Sequence, residues 1–132
     1  MAEVGAPSTV PPAQVPFLAD LGVTLDGETL VLDLLPRHTN RRGDAHGGLI
    51  ATLLDAALTR AARRALPAVQ ALATVEMKTG YLRPGRGQLR ADGDCVHASG
   101  SLAFCEARLT DGAGQEVARA SATLRQIRPA QT

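Results

Sequence analysis

Apolar and polar residues alternate in the first third of the chain, on both sides of the dipeptide Asp26-Gly27. The apolar positions of this pattern are Val23, Leu25, Leu30, Leu32 and Leu34. A period of two is typical of a strand with one buried face, and Asp-Gly is a favoured tight turn. The pattern therefore predicts a β-hairpin, which a polar loop over residues 36–45 follows.

The next stretch, residues 46–65, has apolar positions three and four apart, which is the period of a helix that ends before Pro67. After it the chain returns to the strand period. Four further strands are predicted over residues 71–82, 88–97, 101–110 and 115–127, with turns at residues 83–85, 100 and 111–114. A hairpin, one long helix and four strands predict an α+β fold, in which the helix lies against an antiparallel sheet.

The N-terminal residues 1–16 include Pro7, Pro11, Pro12 and Pro16 with small residues between them. This composition predicts a flexible lead-in with little fixed structure. Residues 17–21 predict a short helical turn that ends at Gly22. We therefore expect a single domain over residues 17–128.

Composition narrows the function classes for this chain of 132 residues. A net charge of +1 and only three aromatic residues make a nucleic-acid partner a poor hypothesis. We expect a soluble cytoplasmic protein with no membrane partner, since the sequence has neither a secretory signal nor an apolar run of membrane-spanning length. The three His and two Cys have no metal-ligand spacing, so we expect no metal.

The predicted helix has two apolar faces of different character. On a helical wheel, one stripe should face the sheet and consists of Ile50, Leu54, Ala57, Leu58, Ala61 and Ala65. The second face surrounds Asp55 with small residues, namely Gly48, Ala51, Thr52, Thr59 and Ala62. A lone Asp on a helix is usually a solvated surface charge. Its small neighbours make Asp55 a candidate functional carboxylate instead.

A glycine pair, Gly47-Gly48, opens this helix, although glycine lowers helix stability by about 1 kcal/mol. The free N–H groups and partial positive charge of a first helical turn can bind a ligand oxygen, and glycine lets that oxygen approach. Such a site could polarise a carbonyl. The alternative is a plain loop-to-helix junction with Asp44 as the side-chain cap.

The spacing of these residues resembles the signature of hotdog-fold acyl-CoA thioesterases. Asn40 lies six residues before the tripeptide His46-Gly47-Gly48. Asp55 lies nine residues after His46, and Thr59 lies four residues after Asp55. Together with residues 81–85, this is most similar to the branch of the 4-hydroxybenzoyl-CoA and phenylacetate-pathway thioesterases. The resemblance implies a hotdog fold, in which an antiparallel sheet wraps one long central helix. It also implies hydrolysis of an acyl-CoA without a cofactor, since coenzyme A is part of the substrate.

The same resemblance implies roles for individual residues. Asp55 attacks the thioester carbonyl or activates water, and the Gly47 N–H polarises that carbonyl. The hydroxyl of Thr59 could hold the carboxylate or the water, although Thr often bonds back to its own helix. Asn40 and His46 are catalytic candidates that could equally be structural residues of the loop. Substrate binding is assigned to Gly48 and Arg83, and the CoA phosphates have as further candidate partners Arg41, Arg42, Arg86 and Arg90.

Two other functions remain open at this point. A hotdog acyl-CoA hydratase or dehydratase would keep the fold and change the reaction. An acyl-CoA-binding module would keep the fold and lose the chemistry. Separately, Cys95 and Cys105 flank the turn at Gly100 almost symmetrically, so they should lie opposite each other in a hairpin, with reduced thiols as the default.

Distance along the helix predicts an assembly. Gly47 and Asp55 are eight residues apart, which is roughly 12 Å of helix, too far for both to reach one carbonyl. Two helices packed antiparallel across a two-fold axis would bring Gly47 of one chain to Asp55 of the other. The sequence therefore predicts a homodimer with composite sites, and the resemblance adds a tetramer formed by two dimers.

Overall fold

The computed structural model describes residues 11–66, 68 and 71–127 of the chain. One long helix packs against a six-stranded antiparallel sheet, which confirms the predicted α+β class and the hotdog arrangement. In chain order the elements are α1 (Pro16–Leu21), β1 (Thr24–Asp26), β2 (Thr29–Asp33), α2 (Gly47–Ala65), β3 (Ala71–Tyr81), β4 (Gln88–Ser99), β5 (Leu102–Thr110) and β6 (Glu116–Ile127). The strand order in the sheet is β1-β2-β4-β5-β6-β3, so β1 and β3 are the edges.

The element boundaries differ from the prediction by one or two residues. Helix α2 begins at Gly47 and not at residue 46, because His46 has extended backbone angles and caps the helix. Strand β4 extends to Ser99 and β5 begins at Leu102, because the turn between the two strands is tighter than predicted. Two short 3-10 helices, Pro12–Gln14 and Pro36–His38, were not predicted.

The N-terminal prediction can be followed only from residue 11. There the chain forms the 3-10 helix Pro12–Gln14 and then α1, which ends at Gly22 in the left-handed conformation with φ 87°. A left-handed C-terminal residue is a position that glycine adopts without strain. The part of the predicted flexible lead-in over residues 1–10 lies outside the described residues, and the domain boundary stays a prediction.

The core lies between α2 and the concave face of the sheet. Five residues of the predicted sheet-facing stripe are buried, and Ala65 is the exception, since it lies at the exposed end of the helix. The sheet wraps further around the helix than predicted, because Leu49, Leu53 and Ala62 are buried as well. Ala62 was assigned to the small face around Asp55, and that assignment is wrong: it is fully buried.

Contact between α2 and β4 is close enough to require a glycine. A Cβ atom at Gly93 would lie 2.5 Å from the backbone oxygen of Ala57. The α2 backbone therefore rests directly on the strand, and the Arg64 guanidinium donates to the Gly93 oxygen at 2.8 Å beside this contact. Gly93 fixes how deeply the helix lies in the sheet.

The loop before α2 is held by polar side chains. Asn40 Oδ1 accepts from the backbone N–H groups of Arg42 and Asp44, and Asn40 N–H donates to the Asp44 oxygen. The buried Asp44 carboxylate forms ion pairs with Arg86 and Arg42. The hydrogen bond from Arg86 and, less, the charge of Arg42 hold the pKa of Asp44 below its ordinary value, against the opposing effect of burial. Asp44 is therefore an anchor of the loop.

A buried histidine joins this loop to α1. His38 Nδ1 accepts from the Leu35 N–H at 2.9 Å, and Nε2 donates to the Leu21 oxygen at 2.9 Å. Both ring nitrogens are thus used by the neutral tautomer with the proton on Nε2. No role for His38 was predicted from the sequence, and in the structure it fixes the end of α1 against the loop that precedes α2.

The two cysteines face each other as predicted. Cys95 and Cys105 are register partners on β4 and β5, and both thiols are free. Burial raises the pKa of the Cys105 thiol to about 12, and the neighbouring Cys95 adds to the effect. Cys105 therefore belongs to the core as an unreactive thiol.

Replacing Gly93 with Ala tests the close packing of α2. The added Cβ would collide with the Ala57 oxygen, and overpacking of this kind lowers the free energy of unfolding by about 1–3 kcal/mol. Gly112→Ala is the matched control, because nothing lies within 4 Å of its Cβ position, and it should change stability by less than about 0.5 kcal/mol. Urea unfolding measures both variants, and equal stabilities would contradict the packing argument.

Replacing Asp44 with Asn tests the loop anchor through pH. Because the folded state lowers the pKa of Asp44, its stabilising effect is present above the unfolded pKa of about 3.9 and is lost as the pH falls through the lower folded value. The wild-type chain should unfold at higher urea than Asp44→Asn at pH 6, and the difference should shrink towards pH 3. A difference that does not vary with pH would refute the ionic role.

Candidate functional site

Asp55 lies midway along α2, on the part of the helix that the sheet does not cover, and is partly buried. Its carboxylate oxygen Oδ1 accepts a hydrogen bond of 2.6 Å from the hydroxyl of Thr74 on β3. No ion pair joins Asp55 to a cation among residues 11–66, 68 and 71–127. The second carboxylate oxygen has no protein donor within that part of the chain, so it is open to a ligand or to water.

Thr74 reaches Asp55 because of a bulge in β3. The register of β3 against β6 shifts between Thr74 and Glu76, so Val75 is an extra residue in this strand. The bulge leaves Thr74 on the side of the sheet that faces α2, opposite the buried Leu124. Sequence reasoning did not identify Thr74, since its approach to Asp55 depends on a register that only the folded sheet defines. Bulges often re-aim a side chain beside a functional site.

The hydroxyl of Thr59 does not contact the carboxylate of Asp55. It donates to the backbone oxygen of Asp55 at 3.0 Å, which is the structural alternative considered for this residue. The same bond occurs about two turns earlier on the same face, where Thr52 donates to the Gly48 oxygen at 2.9 Å. Thr74 is therefore the hydroxyl that holds Asp55.

Of the two glycine N–H groups at the start of α2, one is occupied and the other is free. His46 is the N-cap, and its Nδ1 accepts from the Gly48 N–H at 2.8 Å. The predicted alternative cap, Asp44, does not reach the helix, because its carboxylate binds Arg42 and Arg86. The Gly48 N–H is thus not available to a substrate, whereas the Gly47 N–H has no acceptor among the described residues.

A tyrosine that sequence reasoning did not single out lies beside Gly47. The Tyr81 hydroxyl donates to the Gly47 oxygen at 3.0 Å, and its ring would lie 3.6 Å from a Cβ atom at Gly47. Tyr81 follows Thr74 on β3, so one strand contacts both the start and the middle of α2. A side chain larger than methyl at Gly47 would meet this ring.

The remaining predicted residues lie away from Asp55. Asn40 is occupied in the loop, with its Oδ1 bound to two N–H groups, and His46 is occupied as the cap. No hydrogen bond between either of them and Asp55 is present in the described part of the chain. Arg83 is exposed and donates to the Glu116 oxygen, and Arg90 pairs with Asp26. Of the candidate phosphate ligands, Arg41 alone has no partner among the residues that the structure describes.

A cavity of about 320 Å³ opens beside Asp55, between α2 and the N-terminal segment. Val15, Phe17 and Leu18 form its apolar outer wall. The wall on α2 comes from Thr52, Asp55, Ala56, Thr59, Arg60 and Arg63. We call this space the Asp55 cavity. It combines an apolar outer wall with a few polar groups on α2, among them the carboxylate of Asp55, as small-molecule sites commonly do.

The opposite face of the sheet bears a larger concavity of about 530 Å³. Charged side chains of both signs line it: Lys78, Asp92, Asp94, Glu106, Arg108 and Arg119. None of the predicted site residues borders it. The Asp55 cavity is therefore the candidate active site.

Two classes of feature are missing from the described residues. No group of three or more His, Cys, Asp or Glu side chains in this part of the chain is arranged to hold a metal ion. No helix within it is long and apolar enough to span a membrane.

Comparison with known proteins agrees with this fold. A protein of Halobacterium salinarum whose name describes it as an esterase is 38% identical over 100 residues; the match spans 68% of this chain and 66% of that protein, just under two thirds of its length. A Bacillus halodurans protein solved with CoA is 28% identical, with a TM-score of 0.77 over 88% of this chain and 80% of that one.

A third relative shares the fold. It is a Ralstonia eutropha protein described as phenylacetic acid degradation-related, with 21% identity and a TM-score of 0.73 over 83% of this chain and 89% of that one. The sequence model of the thioesterase superfamily matches residues 42–118, which include all of α2 and Asp55. The chain therefore belongs to the thioesterase superfamily.

Proposed function

We propose that the protein hydrolyses an acyl-CoA thioester to a free acid and CoA, and that Asp55 is its catalytic carboxylate. The observation that carries the proposal is the partly buried Asp55 at the wall of an apolar cavity, fixed through one oxygen by Thr74. The other oxygen attacks the thioester carbonyl or removes a proton from the attacking water. If Asp55 attacks, the C–S bond breaks to give an aspartyl anhydride and the CoA thiolate, and water then cleaves the anhydride to the free acid and supplies the proton for the sulfur. If Asp55 activates water, the water oxygen adds to the carbonyl carbon, the C–S bond breaks, and the proton taken by Asp55 passes to the CoA sulfur.

The Gly47 N–H at the start of α2 is the proposed donor to the carbonyl oxygen. It has no acceptor among the described residues, and it lies at the positive end of a 19-residue helix. As the nucleophile adds to the carbonyl carbon, negative charge grows on the carbonyl oxygen, and a fixed donor stabilises that charge until the C–S bond breaks. His46 and Gly48 act as positioning residues in this scheme, because their hydrogen bond fixes the first turn around Gly47.

The site is proposed to be shared between two chains. Gly47 and Asp55 lie roughly 12 Å apart along one helix, whereas one carbonyl must lie about 3 Å from each group. The sheet has a long unpaired edge at β3, which exposes Val75, and such an edge is prone to pair with another strand. A second copy paired at β3 would lie beside Thr74 and Tyr81, which contact Asp55 and Gly47. A tetramer of two such dimers stays a prediction.

Replacing Asp55 with Asn should lower thioesterase turnover by at least about 100-fold, since an amide neither attacks nor accepts the proton. Release of free thiol from a panel of short, medium, long and aromatic acyl-CoAs measures this. Asp94→Asn is the matched control, because Asp94 lies on the opposite face of the sheet, and it should retain wild-type activity. Near-normal turnover by Asp55→Asn would end the assignment, and consumption of crotonyl-CoA without thiol release would indicate a hydratase.

Mixing two inactive variants tests the shared site. Asp55→Asn chains and Gly47→Val chains should each be inactive, the second because the branched side chain meets the Tyr81 ring and displaces the carbonyl. A hybrid dimer contains one site with an intact Gly47 and an intact Asp55. Random pairing of equal amounts should therefore restore about a quarter of the wild-type sites. Absence of activity in hybrids that native mass spectrometry detects would refute the composite site.

A further inference from the structure

The Asp55 cavity has two ends of different chemistry. All six residues that α2 contributes lie within one arc of roughly 140° on the helical wheel, so the cavity follows one face of the helix. Asp55 lies towards the N-terminal end of this face, about one turn after Thr52. Arg63 lies eight residues further, which is roughly 12 Å along the axis, and its long side chain leans back towards Asp55. A chain that starts at Asp55 and follows the cavity wall therefore ends at a guanidinium group.

The Arg63 end has more cationic than anionic groups. Arg60 and Arg64 share one carboxylate, with Arg60 Nη2 at 3.1 Å and Arg64 Nη1 at 3.3 Å from Glu28 Oε1. Arg63 has no ion-pair partner among residues 11–66, 68 and 71–127, although it is partly buried and lines the cavity. Two of the guanidinium groups near this end of α2 thus pair with Glu28, and Arg63 lines the cavity beside them.

The wall between the two ends is apolar. Phe17 and Leu18 cover it from α1, Ala56 covers it from α2, and Leu30 contributes from β2. A methylene chain is the ligand that such a wall fits, because burial of apolar surface is favourable in proportion to its area. A methyl terminus would displace water from an unpaired guanidinium without replacing its hydrogen bonds. A carboxylate terminus would bind that guanidinium in the bidentate geometry that arginine favours.

We infer that the preferred substrates carry a second carboxylate at the far end of the acyl chain, so that they are mono-CoA thioesters of medium-length dicarboxylic acids, and that Arg63 binds this carboxylate. The inference rests on the proposed thioesterase function and adds a substrate class to it. Arg63 is then a specificity-determining residue that does not act on the reacting carbonyl. Charge complementarity and position along α2 carry the inference together.

Two probes of equal chain length test it. Suberyl-CoA ends in a carboxylate and octanoyl-CoA in a methyl group. The wild-type kcat/KM for suberyl-CoA should exceed that for octanoyl-CoA by roughly 10- to 100-fold, the range expected for one hydrogen-bonded ion pair. Arg63→Gln should lose most of this preference, through a lower kcat/KM for suberyl-CoA. Arg125→Gln, which removes the same charge from the exposed face of β6, should keep the preference.

Binding measurements separate the failure of this inference from the failure of the proposed function. Titration calorimetry of suberyl-CoA and octanoyl-CoA with Asp55→Asn protein should show tighter binding of suberyl-CoA, and the additional Arg63→Gln change should abolish the difference. If no acyl-CoA of the panel releases thiol from the wild-type chain, the proposed function fails and the same titrations on the wild-type chain still test Arg63. Equal binding of the two probes, or a preference for suberyl-CoA that survives Arg63→Gln, would overturn the inference.

Discussion

The depth at which α2 lies in the sheet is the constraint on which the rest of the structure depends. Gly93 has no side chain, so the Ala57 backbone rests directly on β4. Leu53, Leu54 and Leu58 fill the space around this contact and are fully buried. The sheet is the main cover of α2. Only the part of the helix surface that the curved sheet encloses is therefore fully buried. The face left open is narrow, and Asp55 lies on it.

Burial of most of the helix gives the remaining face its chemical character. The side chains next to Asp55 on that face are short, and the hydroxyl groups of Thr52 and Thr59 bond back to the helix. These neighbours leave room for a ligand, and their hydroxyl groups do not compete for the carboxylate. The carboxylate is then fixed from outside the helix, by Thr74 on the adjacent edge strand. Rigid elements thus hold both the reactive group and its support, which favours a defined geometry.

Much of this architecture follows from periodicity in the sequence. The period of two around Asp26-Gly27 and the period of the helix over residues 46–65 predict the hairpin and α2, because burial on one face imposes those periods. The small residues around Asp55 indicate that a ligand or another chain can approach this face of the helix closely. The contacts of Thr74 and Tyr81 could not be predicted in this way, since they depend on strand register and on distances between elements. The alternative in which Asp44 caps α2 is wrong, because Arg86, far along the chain, binds that carboxylate.

The bulge at Val75 divides β3 into two segments of opposite phase. Before it, Leu72 and Thr74 face the helix; after it, Met77 and Tyr81 do. A strand of uninterrupted alternation that kept Thr74 inward would also turn Glu76 and Lys78 towards the core and would turn Tyr81 away from α2. One inserted residue therefore lets a single strand supply a hydroxyl to Asp55 and a phenol to Gly47. The two residues that do so, Thr74 and Tyr81, are seven positions apart. The facing of Thr74 and Tyr81 towards α2 depends on the number of residues between them. The strand therefore tolerates replacement of other side chains far better than insertion or deletion of a residue.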